Sequence, residues 1–147
     1  MYIDFKPDGK CYYCGDECLQ YMKPIFENEY ATAYMAGYQK YYPGRCIVTL
    51  KSHKKEMNEM TPDEISGFFD IVSKLAGAIQ RAFPCDKLNY GTCGDTNPHF
   101  HMHIVPKIKD GYTWGKLFEM LPPVEDRVLI PEAELDLMIE KIKGALE

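Results

Sequence analysis

The sequence predicts an α+β domain, an antiparallel sheet with a long helix packed on one face and a second helix near the C-terminus. Three observations carry this. Apolar residues recur at helical spacing from Pro62 to Ala82, and they alternate at every second residue from Phe100 to Ile104. Short apolar runs bounded by turn signals lie on both sides of the helical stretch.

Taken in order, the first ten residues form a lead-in with Pro7-Asp8-Gly9 as a turn. Cys11-Tyr12-Tyr13-Cys14-Gly15 fits a knuckle in which two thiolates bind one metal and a glycine permits the tight turn. Asn28 to Gly37 reads as a first strand, Tyr42-Pro43-Gly44 as a turn and Arg45 to Leu50 as a second strand, together a hairpin. The helix follows. Thr61 is its N-cap, Pro62 takes the first helical position and Glu64 completes a capping box. Ile65, Phe68, Phe69, Val72, Leu75, Ala76 and Ile79 form the inner stripe, and Pro84 stops the helix. Lys87 to Cys93 reads as a strand and Gly94 to Pro98 as a short loop. Beyond Pro106 the chain is irregular until a final helix from Pro131 to Leu146, with Leu135, Met138, Ile139 and Ile142 inward. No internal repeat or low-complexity tract interrupts what reads as a single domain over residues 1–147.

The run Asn97-Pro98-His99-Phe100-His101-Met102-His103-Ile104-Val105-Pro106 holds three of the four histidines in the chain. A strand would send His99, His101 and His103 to one polar face and Phe100, Met102 and Ile104 toward a core. Three imidazoles so placed are metal ligands, acid–base and nucleophilic groups, or a mixture of these. Cys11, Cys14 and two histidines would make a Cys2His2 zinc site, and His53 reaches the same metal as His99 if its strand neighbours the histidine strand. A redox role for the Cys-x-x-Cys would call for a βαβ context that the chain lacks. Of the other cysteines, Cys46 reads as a small buried hydrophobe, and Cys85 and Cys93 as the same.

The net charge of −5 argues against broad attraction to nucleic acid or anionic lipid. No basic region followed by an apolar run opens the chain, and no stretch is long and apolar enough to span a bilayer. The expectation is a cytoplasmic protein with reduced thiols.

His99-Phe100-His101-Met102-His103-Ile104-Val105-Pro106 resembles the signature of the histidine-triad (HIT) nucleotide hydrolases and transferases. Cys11-x-x-Cys14 is similar to the metal knuckle of many bacterial members, and Pro43-Gly44-Arg45 to His53 is similar to their Pro-Gly-His, strand, Lys-x-His segment. Gly94, five residues before the first triad histidine, also matches.

The resemblance implies a sheet of about five strands, with residues 1–27 as a zinc-knuckle lead-in and 107–147 as a C-terminal extension. It implies that His101 attacks the α-phosphorus of a nucleotide, forming a covalent nucleotidyl-histidine that water hydrolyses, with His103 assisting. Dinucleoside polyphosphates and adenosine phosphoramidates are the implied substrates. Cys11, Cys14, His53 and His99 would close a structural zinc site. Asn89 and Thr96 match substrate-contacting positions, and a homodimer is implied. Two departures stand out. Asp95 replaces a common glutamine, placing a carboxylate near phosphate, and Ala36-Gly37-Tyr38-Gln39-Lys40 lacks the acid that many members use to hold ribose. Trp114 reads as a packing residue, with a lid over the base or completion of a partner's site as the other readings. Besides hydrolysis, nucleotide binding without turnover, transfer to another acceptor, and a metal site built on all three triad histidines are compatible with these residues.

Overall fold

In the computed structural model, residues 10–146 are described; the Pro7-Asp8-Gly9 turn lies outside them. The long helix, α1 (Pro62–Ala82), begins as its sequence dictates. The Glu64 N–H donates to the Thr61 hydroxyl and the Thr61 N–H donates to the Glu64 carboxylate, both at 3.1 Å. Its buried face is Phe68, Ile71, Val72, Leu75, Ala76, Ala78 and Ile79. Ile65, expected on that stripe, is 37% exposed, because burial begins one turn further along, at Phe68.

Five strands form the sheet: β1 (Met22–Glu27), β2 (Ala31–Ala36), β3 (Cys46–Leu50), β4 (Lys87–Gly91) and β5 (His101–Lys107). Their order is β1-β2-β3-β5-β4 and every neighbouring pair is antiparallel. The hairpin expected around Tyr42-Pro43-Gly44 is the β2–β3 pair. The first expected strand, Asn28 to Gly37, is shorter, because Asn28 serves the turn that precedes it. Its side-chain carbonyl accepts from the N–H groups of Tyr30 and Ala31. Met22–Glu27, assigned to the lead-in from sequence, is instead a full edge strand, with its register shifting between Pro24 and Phe26. Similarly, β4 stops at Gly91, two residues short of the expected Cys93.

Register divides the sheet. Cys46, Val48 and Leu50 of β3, with Met102 and Ile104 of β5, face α1 and build the main core together with Ala31, Ala33 and Met35. Cys46 is fully buried there, as its apolar run implied. The final helix, α2 (Glu132–Ala145), packs on α1 through Leu135, Ile139 and Ile142. The opposite face carries Ile47 and Thr49 of β3 and His101 and His103 of β5. A smaller cluster of Cys18, Met22, Ala36 and Ile47 anchors the N-terminal segment beside them.

Phe68 is fully buried between the rings of Phe69 and Phe100. Phe68→Ala should cost about 3–5 kcal/mol in a denaturant titration. Ile65→Ala should stay within about 0.5 kcal/mol; equal losses would contradict the burial pattern.

Candidate active site and metal centre

His101 and His103 pair with Thr49 and Ile47, so both imidazoles rise from one face of the sheet. The expectation of a polar face for the imidazoles is corrected in one respect: His99, His101 and His103 are all buried. Tyr13 from the Cys-x-x-Cys knuckle covers His101 with ring centroids 4.6 Å apart, and Phe118 lies against His103 at 6.1 Å. Gly91, opposite His103 on β4, makes room for that contact, since a Cβ there would come within 2.7 Å of the Phe118 ring.

His99 precedes β5 instead of belonging to it. Its N–H donates to the Asn97 carbonyl at 2.8 Å, and regular pairing begins beyond it. Its Nε2–H donates to the Leu50 carbonyl at 2.6 Å, which leaves the Nδ1 lone pair for the cysteines. Cys11 Sγ and Cys14 Sγ lie 3.5 and 3.4 Å from that Nδ1, and His53 Nδ1 lies 3.2 Å from it and 3.4 Å from Cys14. The antiparallel β3–β5 pairing makes this possible by bringing the chain after Leu50 alongside His99.

All four donor atoms lie within 4.8 Å of one another. A tetrahedral ion with ordinary zinc bond lengths has S–N edges of about 3.5 Å and N–N edges of about 3.3 Å. The donor set fits such an ion. Desolvation, with Cys11 beside it, pushes the Cys14 thiol up to about 11, a cost that a cation at the centre would reverse.

Next to this cluster opens a cleft of about 620 Å³, within the range of small-ligand sites. His101 and His103 form part of its wall, Tyr12, Tyr13 and Tyr21 another part, and Gly94 to Asn97 a third. His101 Nδ1–H donates to the His99 carbonyl at 2.6 Å, so its Nε2 carries the lone pair. Burial lowers its basicity, partly offset by that hydrogen bond. His103 Nδ1 accepts from the Arg45 guanidinium at 3.1 Å, so its proton sits on Nε2. The two histidines thus carry opposite tautomers. One offers a lone pair and the other an N–H.

Of the other residues singled out from sequence, Asp95 and Thr96 are exposed and line the cleft. Gly94 permits their turn with φ +86°. Asn89 lies opposite Val105 on the edge strand and is not among the cleft-lining residues. Trp114 is half-buried and also stands away from the cleft. Cys85 is half-buried, but Cys93 is exposed at the cleft, unlike the buried hydrophobe expected. No acid replaces the missing one before the Pro-Gly turn, though Glu17 reaches the cleft wall.

Two contributors were not legible beforehand. Arg45 and Tyr13 had no assigned role, and only tertiary packing aims them at the histidines. Arg45 is held by its own turn. Gln39 accepts from the Gly44 N–H at 2.7 Å and donates to the Ala36 and Arg45 carbonyls at 2.6 and 3.0 Å.

Two histidines of opposed tautomer on an antiparallel sheet thus line a cleft of small-ligand size beside a Cys2His2-type cluster. The family model for the HIT domain matches residues 20–110, and the chain belongs to that family. It is 26% identical over 98 residues to a bis(5'-nucleosyl)-tetraphosphatase (asymmetrical) from Schizosaccharomyces pombe, covering 63% of this chain and 54% of that one. The chain therefore spans about half the length of that relative. It is 27% identical over 100 residues to protein hit of Bacillus subtilis, covering 65% of this chain and 68% of that one. In fold it is similar to a histidine triad protein from Marinobacter aquaeolei, with TM-score 0.75 and 17% identity over 93% of this chain and 97% of that one.

Burial, then the neighbouring Arg45 and His101, lower the His103 pKa to about 3, against about 6.5 in an unfolded chain. Between those values the unfolded state binds more protons, so stability should fall as pH drops from about 6.5 toward 3. His103→Asn should flatten the slope of unfolding free energy against pH in that window. An unchanged slope would place the acid sensitivity elsewhere.

Proposed function

We propose that this protein is a zinc-bearing HIT hydrolase that cleaves a phosphoanhydride or phosphoramidate bond at the α-phosphate of a small nucleotide. One observation carries the reading. His101, fixed with its lone pair on Nε2, lies in the wall of a nucleotide-sized cleft. In the proposed reaction His101 Nε2 attacks the α-phosphorus, the bond to the leaving group breaks, and water then hydrolyses the covalent nucleotidyl-histidine. His103 Nε2–H hydrogen-bonds a phosphate oxygen as charge builds there. Thr96, beside Asp95 in the cleft wall, offers a hydroxyl to phosphate. Tyr12, Tyr13 and Tyr21 give the nucleobase an aromatic wall.

Cys11, Cys14, His53 and His99 would hold the zinc, which supplies a closed tetrahedral cross-link with no open position for water. The free cysteines suit a cytoplasmic setting, and no helix among the described residues is long and apolar enough to cross a membrane.

Asp95 favours a second reading, a nucleotide-binding module with little turnover, because a carboxylate at the phosphate end opposes charge build-up. Release of nucleoside monophosphate from a panel of dinucleoside polyphosphates and phosphoramidates separates the two. Wild type should turn over at least one class. His101→Ala should lose release by a factor of at least about 10³ with zinc content and fold intact, and Cys14→Ser should lose zinc. Full activity in His101→Ala would refute the mechanism; binding with no turnover of any substrate would favour the second reading.

We also propose a homodimer joined along β4, which is a sheet edge beside an apolar groove of α1 formed by Phe69, Val72 and Ala76 with Tyr90 and Met102. Light scattering should give twice the 17.0 kDa chain mass; a monomer mass would refute the dimer.

A further inference from the structure

Arg45 is only 5% exposed, yet among the described residues no carboxylate pairs with it. Its hydrogen bonds go to the Glu119 carbonyl at 2.8 Å and to His103 Nδ1 at 3.1 Å, and the rings of Tyr42 and Phe118 flank it at 5.8 and 5.5 Å. A guanidinium has about five N–H groups and no acceptor. It therefore leaves donors unused beside the cleft it lines, and it carries a full positive charge there. An unpaired buried cation is costly unless a ligand completes it.

The same contact constrains His103. Arginine only donates, so His103 Nδ1 must accept and the ring must stay neutral with its single proton on Nε2. Around the ring stand His101 at 5.3 Å, Phe118, and the strand partners Ile47 and Gly91, none of them an acid; Glu17 and Asp95 line the same cleft, but neither is hydrogen-bonded to His103. A neutral imidazole that gave up its last proton would become an imidazolate. His103 can donate a hydrogen bond to a leaving group, but it has no proton to surrender.

We infer that Arg45 sets the leaving-group class: together with His103 it makes the site select nucleotides whose leaving group departs as a phosphate or polyphosphate anion. This inference rests on the hydrolase reading and narrows it. The His101 Nε2 pair forms the N–P bond as the P–O bond to the bridging oxygen breaks. That electron pair leaves on the polyphosphate oxygen, where the guanidinium charge and the His103 N–H meet it. No proton transfer is needed. An amine leaving from a phosphoramidate, by contrast, must take a proton, and this pair supplies none. Arg45 is thus a specificity residue for the anion and a positioning residue for His103.

The test compares a dinucleoside polyphosphate with an adenosine phosphoramidate in wild type, Arg45→Gln and Arg45→Lys, with folding of each variant checked by near-ultraviolet circular dichroism. The wild-type ratio of kcat/KM should favour the polyphosphate by a factor of about 10 or more. Arg45→Gln should lower that ratio by about tenfold or more. Arg45→Lys should keep most of the ratio through its charge while losing kcat, and it remains informative if Arg45→Gln fails to fold. Nitrogen-15 NMR should show the His103 proton on Nε2 in wild type at neutral pH, and mixed tautomers in Arg45→Gln. A wild-type preference for the phosphoramidate, or an unchanged ratio in folded Arg45→Gln, would overturn the inference; so would loss of the ratio in Arg45→Lys. The NMR arm does not depend on turnover. Should wild type hydrolyse neither substrate, the hydrolase reading fails. A binding comparison of nucleoside diphosphate with the bare nucleoside then decides whether Arg45 still selects the anion.

Discussion

The antiparallel register between β3 and β5 is the constraint on which the rest of the molecule depends. Pairing Thr49 with His101 and Ile47 with His103 puts both imidazoles on the cleft side and sends Met102 and Ile104 into the core against α1. A slip by one residue would exchange the two sets, burying imidazoles in hydrocarbon and exposing the core side chains. The register also decides where the chain goes after Leu50. Because the Leu50 N–H donates to the Phe100 carbonyl and the Phe100 N–H to the Lys54 carbonyl, His53 is carried beside His99 and the four metal-type donors converge. Cleft, donor cluster and core follow from one set of backbone hydrogen bonds.

How much of this could be read beforehand depended on how local the cause was. The start of α1 was legible because a capping box is a four-residue interaction, written wholly in Thr61 to Glu64. The histidine face was legible because strand period needs only neighbouring residues. β1 was not: Lys23, Pro24 and Glu27 blur its alternation, and an edge strand with a shifted register tolerates them. Ile65 misled in the opposite direction, since helical spacing fixes a stripe's direction but not where its burial begins.

The site divided in the same way. Cys11, Cys14, His53 and His99 follow as one set from the family resemblance, and the strand neighbours on which His53 depends are those of the sheet order. Arg45 and Tyr13 could not be found this way, because nothing in their local sequence says that they point at His103 and His101. Nor could the burial of the histidines be foreseen. It arises from the knuckle and the segment around Phe118 folding over the sheet from opposite ends of the sequence.

His99 does two jobs with two different parts of itself. Its ring reaches the cysteines, while its backbone carbonyl receives the Nδ1–H of His101. The tautomer of His101 is therefore referenced to the same residue that locates the cluster, with a single residue as the lever between them. A disturbance on either side bears directly on the other, because the same residue makes both contacts. Position 99 thus works as a shared bearing: the two centres cannot drift apart independently, and a sequence that alters one must accommodate the other.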